Sequence, residues 1–476
     1  MDEEFLYKIY CDYYDIGKPQ NFKLNTDVEY IQLIASYKEI KDKTLKKTIK
    51  NFKHLFSKKL RDSVLNFLEN KDDYFVDKNI VHITYPLEKT INRLYFIYNS
   101  IGKKEWNKIF NFDFKNMIAL IKAIIKRIIT YNNLVLDNKG KEYNFYLTKD
   151  EIYTYLTIPT TEIDQIIEFV SIDLNNINDK RDCFNLIKFN NDNYTLIFIW
   201  DFLYYLYDKI ETKIKENSNE KQLSIYYNNR GKIFEKQCTQ EIQLAFKNKG
   251  IYKNVYYINE KGKNELDIIL IIDNKIIVFE CKTTNFDIYK TNNNEELEYQ
   301  IISALGKGYK TINNFDQYIK NKDTIELLDN GKKIELNLKN KEIIYVCISL
   351  NNIEFVQTSI QKLDGKVLKK VNKYPIILNY LDLSSILDLA SLNPDTILEY
   401  FSERFYTINE LKMLSIDIDE IDVLGFLTDE QNARVYNMIK DNSSFVDTNL
   451  MITNGAYRNQ VNKFLNEKFI YNLYEK

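Results

Sequence analysis

The chain is poor in the residues that most often announce a function. Its 476 residues include two histidines, five cysteines, five prolines and twelve glycines. His54 sits among lysines and His82 in an apolar run, so a His-rich metal site, a His pair or a His–Cys dyad has little material. Chemistry then falls to carboxylates, lysine and a hard metal ion. Cys11, Cys183, Cys238, Cys281 and Cys347 are scattered with no CxxC pair, which excludes zinc-ribbon and thioredoxin-like sites and argues against a disulfide framework. Long uninterrupted apolar runs are missing too. Met117–Ile129 contains Lys122, Lys126 and Arg127, and Tyr194–Leu206 contains Asp201, so neither reads as a membrane span. The start, Asp2-Glu3-Glu4, is unlike the basic opening of a secretory signal, and the expected location is the cytoplasm.

What is abundant is Tyr, 37 residues of it, with much Ile, Asn and Lys, the signature of an AT-rich coding sequence. Lysine content is therefore weak evidence of a binding surface. The 66 basic residues are matched by 68 acidic ones, so any attraction to nucleic acid must come from a local patch. The length suits two or three domains, each with its own core.

Residues 1–140 read as a mostly helical domain. Leu45, Ile49, Phe52, Phe56 and Leu60 form a helical seam over Thr44–Leu60, and the other face carries Lys46, Lys50 and Lys53 among further lysines. Those lysines could contact phosphates, although a solvated face is the simpler account. Residues 141–212 have the pattern of a winged-helix module. Thr148-Lys-Asp-Glu151 opens one helix as a capping box, and Thr161 with Asp164 opens a second after Pro159. Phe184–Phe189 and Tyr194–Trp200 then form a hairpin around Asn190–Asn193. Glu162, Asp164 and Glu168 on the second helix would repel phosphates, which favours packing or protein binding over DNA reading. Residues 213–224 read as a linker, 225–360 as an α/β core, and 361–476 as a helical C-terminal region in which Asn393 and Pro394 open a helix. The acidic cluster Asp417, Asp419, Glu420 and Asp422 reads as a solvated face.

The core carries the chemistry. It runs helix, three strands, helix, strand. Gly231 precedes a helix whose stripe is Phe234, Cys238, Ile242 and Ala245, with Glu235 at its edge. Strands follow at Asn254–Ile258, Leu266–Ile272 and Ile276–Lys282, the last two joined by the tight turn Asp273-Asn274-Lys275. Strand side chains alternate faces, so Glu280 and Lys282 project together while Cys281 points away. Asp267, one hairpin away, falls beside Glu280. Two such carboxylates repel unless a cation lies between them. The decoys Glu39-Ile-Lys41, Glu211-Thr-Lys213 and Glu410-Leu-Lys412 share the Glu-x-Lys spacing, but none ends an apolar strand after an Asp at hairpin distance.

Glu235, then Asn264-Glu-Leu-Asp267, then Phe279-Glu-Cys-Lys-Thr283 resembles the PD-(D/E)XK nuclease superfamily, over about 225–355. The wording is similar to that of CRISPR-linked effector and restriction-type nucleases. The proline that names the motif is absent, and no Rossmann-like nucleotide sensor is visible in the N-terminal half. The resemblance implies a restriction-endonuclease-like αβββαβ core, flanked by mainly helical regions. It implies Asp267 and Glu280 as ligands of Mg²⁺ or Mn²⁺, the Cys281 carbonyl as another, Lys282 as the catalytic lysine and Glu235 as the helix carboxylate that completes the site. Gln300, Lys307 and Lys310 on the next helix could reach phosphates, with Gly306 and Gly308 loosening or ending that helix.

The function expected from these readings is a metal-dependent endonuclease acting on nucleic acid, DNA before RNA, in restriction or anti-phage defence. The flanking helices would serve a homodimer or a protein partner. The rival is a catalytically inactive nuclease-fold protein that binds nucleic acid or serves in assembly.

Overall fold

The computed structural model describes residues 86–136, 146–176, 182, 184–189, 192–196, 199–247, 250–260, 262–284, 294–351, 375–390, 394–413 and 424. Lys46, Lys50 and Lys53 with their helix, both histidines, Cys11, Cys183 and the Asp417–Asp422 cluster lie outside these residues. The chain divides into two units, the described parts of which are largely Leu87–Tyr227 and Asn228–Leu465. No helix among the described residues is long and apolar enough to cross a membrane.

The first unit opens with helices α1 (Leu87–Ile101), α2 (Lys103–Ile109) and α3 (Phe114–Leu136). They close around Trp106, which is fully buried, stacks on Phe110 at 4.0 Å and meets Phe114 edge-on at 5.0 Å. Its indole N–H donates to the Phe112 carbonyl at 3.0 Å, so the ring brings no unpaired polar group into the core. The chain continues through β1 (Leu147–Thr148), α4 (Lys149–Tyr153), α5 (Thr160–Val170), β2 (Ser171–Asp173), β3 (Leu186–Phe189), β4 (Asn193–Thr195) and α6 (Ile199–Glu216). The four strands form a small sheet in the order β1-β4-β3-β2.

Several local expectations change here. Thr148 does cap α4, accepting from the Glu151 N–H at 3.2 Å, but Glu151 does not reciprocate. Its carboxylate instead takes Arg127 at 2.8 Å and the Tyr155 hydroxyl at 2.9 Å, because a guanidinium is the stronger donor. Helix α5 starts at Thr160 with Pro159 before it and no side-chain cap. Glu162 accepts from the Asp113 N–H and the Asn116 amide, both at 2.9 Å, while Asp164 holds Tyr153 and Lys149. These two acids are structural ties, and only Glu168 is exposed. The second hairpin strand ends at Thr195, and Trp200 lies in α6. Its apolar run fits either element, and burial of Phe202, Leu203, Leu206 and Tyr207 at helical spacing decides for the helix.

The run 213–224 is not an extended linker. Helix α6 lasts to Glu216 and α7 (Glu220–Ala245) begins four residues later. Lys, Glu and Gln are good helix formers. Asn217-Ser218-Asn219 makes the break, and Asn219 and Gln222 cap α7 reciprocally, each side chain accepting from the other's N–H at 3.0 and 2.9 Å.

The second unit is three-layered. Its sheet has seven strands in the order β11-β10-β7-β6-β5-β8-β9, namely β5 (Ile251–Asn259), β6 (Gly262–Ile272), β7 (Lys275–Lys282), β8 (Thr324–Asp329), β9 (Lys332–Asn337), β10 (Glu342–Ser349) and β11 (Ile376–Asn379). Strands β7, β10 and β11 are parallel; the remaining pairings are antiparallel. Helix α8 (Asn294–Ile319) covers one face, packing Ile301, Leu305, Tyr309 and Ile312 on Ile276, Val278 and Tyr345. Helices α7, α9 (Tyr380–Ala390) and α10 (Pro394–Met413) lie on the other, where Phe279 meets Phe401 at 6.1 Å and Phe234 meets Tyr380 at 5.8 Å. Because both faces of β7 are covered, its residues from Ile276 to Cys281 are all buried, which is why it reads as a continuous apolar run. Each such Val, Ile or Phe contributes about 1.5–3 kcal/mol.

The element order differs from the expectation at two places. A hairpin, β8–β9, stands between α8 and the strand that returns beside β7. Helix α7 also runs straight through Gly231, where an added Cβ would meet nothing within 4 Å. Likewise α8 runs unbroken through Gly306 and Gly308. Pro394 does open α10, which buries Ile397, Leu398 and Phe401.

Candidate active site

The end of β7 and the strand beside it bring three of the expected residues together. The antiparallel register pairs Ile268 with Phe279, so the next positions along the two strands are Asp267 and Glu280. Lys282 projects on the same face as Glu280, and its Nζ donates to Glu280 Oε2 at 2.8 Å and to the Cys281 carbonyl at 3.1 Å. Asp267 Oδ2 is 3.6 Å from Lys282 Nζ and accepts from the Cys281 main-chain N–H at 2.7 Å. Asp267 therefore serves two ends: it neutralises the lysine and it pins the strand that carries it.

The charges do not balance. Glu280 is only 2% exposed, and its second oxygen, Oε1, is buried without a hydrogen-bond partner. Burial pushes its carboxyl up to about 8, helped by the nearby Asp267 charge, with Lys282 acting in the opposite direction. Glu235, half-buried on α7, is raised to about 7, again by burial first and then by Asp267. Lys282 is the counterweight. Burial alone would lower its pKa, but Glu280 and Asp267 raise it, so the ammonium is held charged. Two acids, Asp267 and Glu280, thus face one ammonium. The raised Glu280 and Glu235 carboxyls are held from ionising by burial and by the Asp267 charge, a cost that a bound cation would relieve.

Among the described residues no three His, Cys, Asp or Glu side chains are grouped as a metal cage. The donors still suit a hard divalent ion: two carboxylates, that of Glu280 with its Oε1 unpaired, and one backbone carbonyl. Mg²⁺ is commonly held by one or two carboxylates and keeps several waters, so a full cage is not required.

One residue escaped the sequence reading, and a second was read only as loosening its helix. Arg230, on α7 and buried, donates from Nη2 to the Thr283 carbonyl at 2.7 Å, holding the chain just past Lys282. Gly308, on α8, lies against the Lys282 side chain. Neither belongs to a motif with fixed spacing, since each reaches the site through tertiary packing. Behind the site, the Cys281 thiol faces α7 and interacts with Cys238.

Lys307 and Lys310 are solvent-exposed on α8, and Gln300 is half-buried near its start; neither lysine is in the Asp267–Glu280–Lys282 cluster. Of the decoys, Glu211-Thr-Lys213 lies in α6, where Glu211 binds the Tyr226 hydroxyl at 2.8 Å, and Glu410-Leu-Lys412 lies in α10. Glu39-Ile-Lys41 falls outside the described residues.

No curated protein and no solved structure gives a significant match to the chain. A family match does cover the second unit's central part, where this site lies. Residues 230–349, from the α7 arginine to the last residue of β10, match the nuclease-related domain, NERD, a PD-(D/E)XK-like domain.

Proposed function

We propose that the chain is a metal-dependent nuclease that hydrolyses phosphodiester bonds, DNA before RNA, at the Asp267–Glu280–Lys282 cluster. The observation that carries this reading is the convergence of Asp267, Glu280 and Lys282 at one strand end, with a buried carboxylate oxygen left unpaired. The nuclease-related match over the same residues points to nucleic acid as the partner.

In this reading Asp267, Glu280 and the Cys281 carbonyl hold Mg²⁺ or Mn²⁺, which when bound supplies Lewis acidity and a bound water of lowered pKa. Lys282, kept charged by its two acidic neighbours, donates hydrogen bonds to the phosphate oxygens as negative charge builds on them. Glu235 holds the attacking water from the helix side. The water oxygen forms a bond to phosphorus as its proton passes to the Glu235 carboxylate, the bond to the leaving sugar oxygen breaks, and the departing alkoxide takes a proton from solvent. Arg230 fixes the main chain after Lys282 and so keeps the lysine in line.

The finer architecture belongs to the same proposal: an αβββαβ nuclease core decorated by the β8–β9 hairpin, and a winged-helix module in the first unit. A cytoplasmic restriction or anti-phage role rests on the resemblance and the AT-rich composition, with Gln300, Lys307 and Lys310 available to phosphates. Lys46, Lys50 and Lys53 remain available to the same role in sequence.

One observation favours the rival of an inactive, nucleic-acid-binding protein. Lys282 Nζ already bonds the Glu280 and Cys281 oxygens that a metal would use. Incubating the purified chain with supercoiled plasmid and with a single-stranded RNA, in Mg²⁺, Mn²⁺ or EDTA, separates the two. Metal-dependent nicking that EDTA abolishes supports the nuclease. Salt-sensitive binding without turnover supports the rival.

A further inference from the structure

The lysine's charge is set by Asp267 and Glu280, but its stem also has to be placed. Gly308 lies deep inside α8, far from either helix end, and is buried. A Cβ at this position would stand 2.7 Å from Cys347 Sγ, 3.4 Å from Lys282 Cε and 3.6 Å from Lys282 Cγ. Cys347 is fully buried on β10, in register with Glu280. Glycine weakens a helix interior, and an unbroken helix does not call for it. The reason for glycine here is the close approach to Lys282 and Cys347.

We propose that Gly308 is a positioning residue for Lys282: the bare α8 backbone forms a floor under the lysine stem, Cys347 forms its wall, and together they aim Nζ at Glu280 and the Cys281 carbonyl. This rests on reading Lys282 as the catalytic lysine. An alanine at 308 must push aside the Cys347 sulfur, 2.7 Å from its Cβ, whereas its 3.4 and 3.6 Å approaches to Lys282 are ordinary contacts. The displaced sulfur then bears on the neighbouring lysine stem. The lysine, ending at the edge of the core with an 18% exposed side chain, is the one able to give way.

The test uses the full chain as Gly308→Ala, Cys347→Ala and the double variant. In Gly308→Ala, kcat for plasmid nicking falls by about 10- to 100-fold, with KM and Mn²⁺ affinity nearly unchanged. Adding Cys347→Ala vacates the sulfur position and restores most of kcat. A second readout needs no metal and no turnover. Acetylation footprinting by mass spectrometry should show Lys282 several-fold more reactive in metal-free Gly308→Ala, with Lys307 and Lys310 as unchanged internal references. Should the wild type not cleave at all, the nuclease reading fails while the footprint still reports on the floor. If Gly308→Ala does not fold, Cys347→Ala alone opens the wall and should raise the Lys282 footprint. An unchanged footprint, or a loss of kcat that merely parallels a loss of thermal stability and is not rescued by Cys347→Ala, overturns the proposal.

Discussion

The main-chain N–H of Cys281 donates to Asp267 Oδ2 at 2.7 Å, so the strand bearing Glu280 and Lys282 is fastened by the acid that faces them. Charge and acceptor are separable in such a contact. Asp267→Asn keeps an acceptor for the amide and removes the charge, so it should fold normally and lose nicking activity. Asp267→Ala strands a buried N–H and should in addition lower stability by about 1–3 kcal/mol. Denaturant unfolding of both variants checks this; equal stability of the two would show that the amide bond contributes nothing.

Lys282 is the counter-charge to two acids, one of them almost wholly buried. Lys282→Met should lower the stability of the metal-free protein by about 3 kcal/mol, because it leaves Glu280 unpaired. Adding Glu280→Gln removes the stranded charge and should recover much of that loss. A double-mutant cycle by urea unfolding measures the coupling, and purely additive losses would contradict a buried pair.

Gly231 makes a prediction of the opposite sign. It sits inside α7 with open space around its missing Cβ. Gly231→Ala should raise stability by about 0.5–1 kcal/mol, through helix propensity and a less flexible unfolded chain. A destabilised variant would place the helix start at Gly231, as the sequence alone suggests.

In the first unit, Lys209 donates to Asn185 at 2.9 Å, and burial pushes its pKa down to about 8. The unfolded chain holds that proton up to about 10.4. Between these values the unfolded state binds more protons than the folded one, so this residue makes stability rise with pH, by at most about 1.4 kcal/mol per unit. Below pH 8 both states are protonated and the contribution is flat. Lys209→Met should remove the rise, seen as a wild-type-minus-variant difference that grows from pH 8 to 10. Parallel curves would refute it.

What was readable in the sequence follows from which interactions are local. The β6–β7 hairpin was legible because its turn is short and Glu280 and Lys282 interrupt an apolar strand at a spacing of two. The stripe Phe234, Cys238, Ile242 and Ala245 was legible because a helix buries every third or fourth residue, and all four are buried. The extent of α7 was not, because Asn219 and Gln222 form its cap well before the glycine that looked like its start. Nor was the β8–β9 hairpin: β9 is an edge strand, mostly exposed and charged, and its pattern resembles a surface loop. What Arg230 and Gly308 do at the site was invisible for a different reason. Their roles lie in contacts with Thr283, and with Lys282 and Cys347, which sequence spacing does not encode.

The most direct measurement pairs calorimetric Mn²⁺ titration with plasmid nicking for wild type, Glu280→Ala and Lys282→Ala. Wild type should bind Mn²⁺ and nick. Glu280→Ala should lose both, and Lys282→Ala should still bind Mn²⁺ while nicking falls by about 100-fold or more. Cleavage by either variant at the wild-type rate would contradict a hydrolytic centre at Asp267, Glu280 and Lys282.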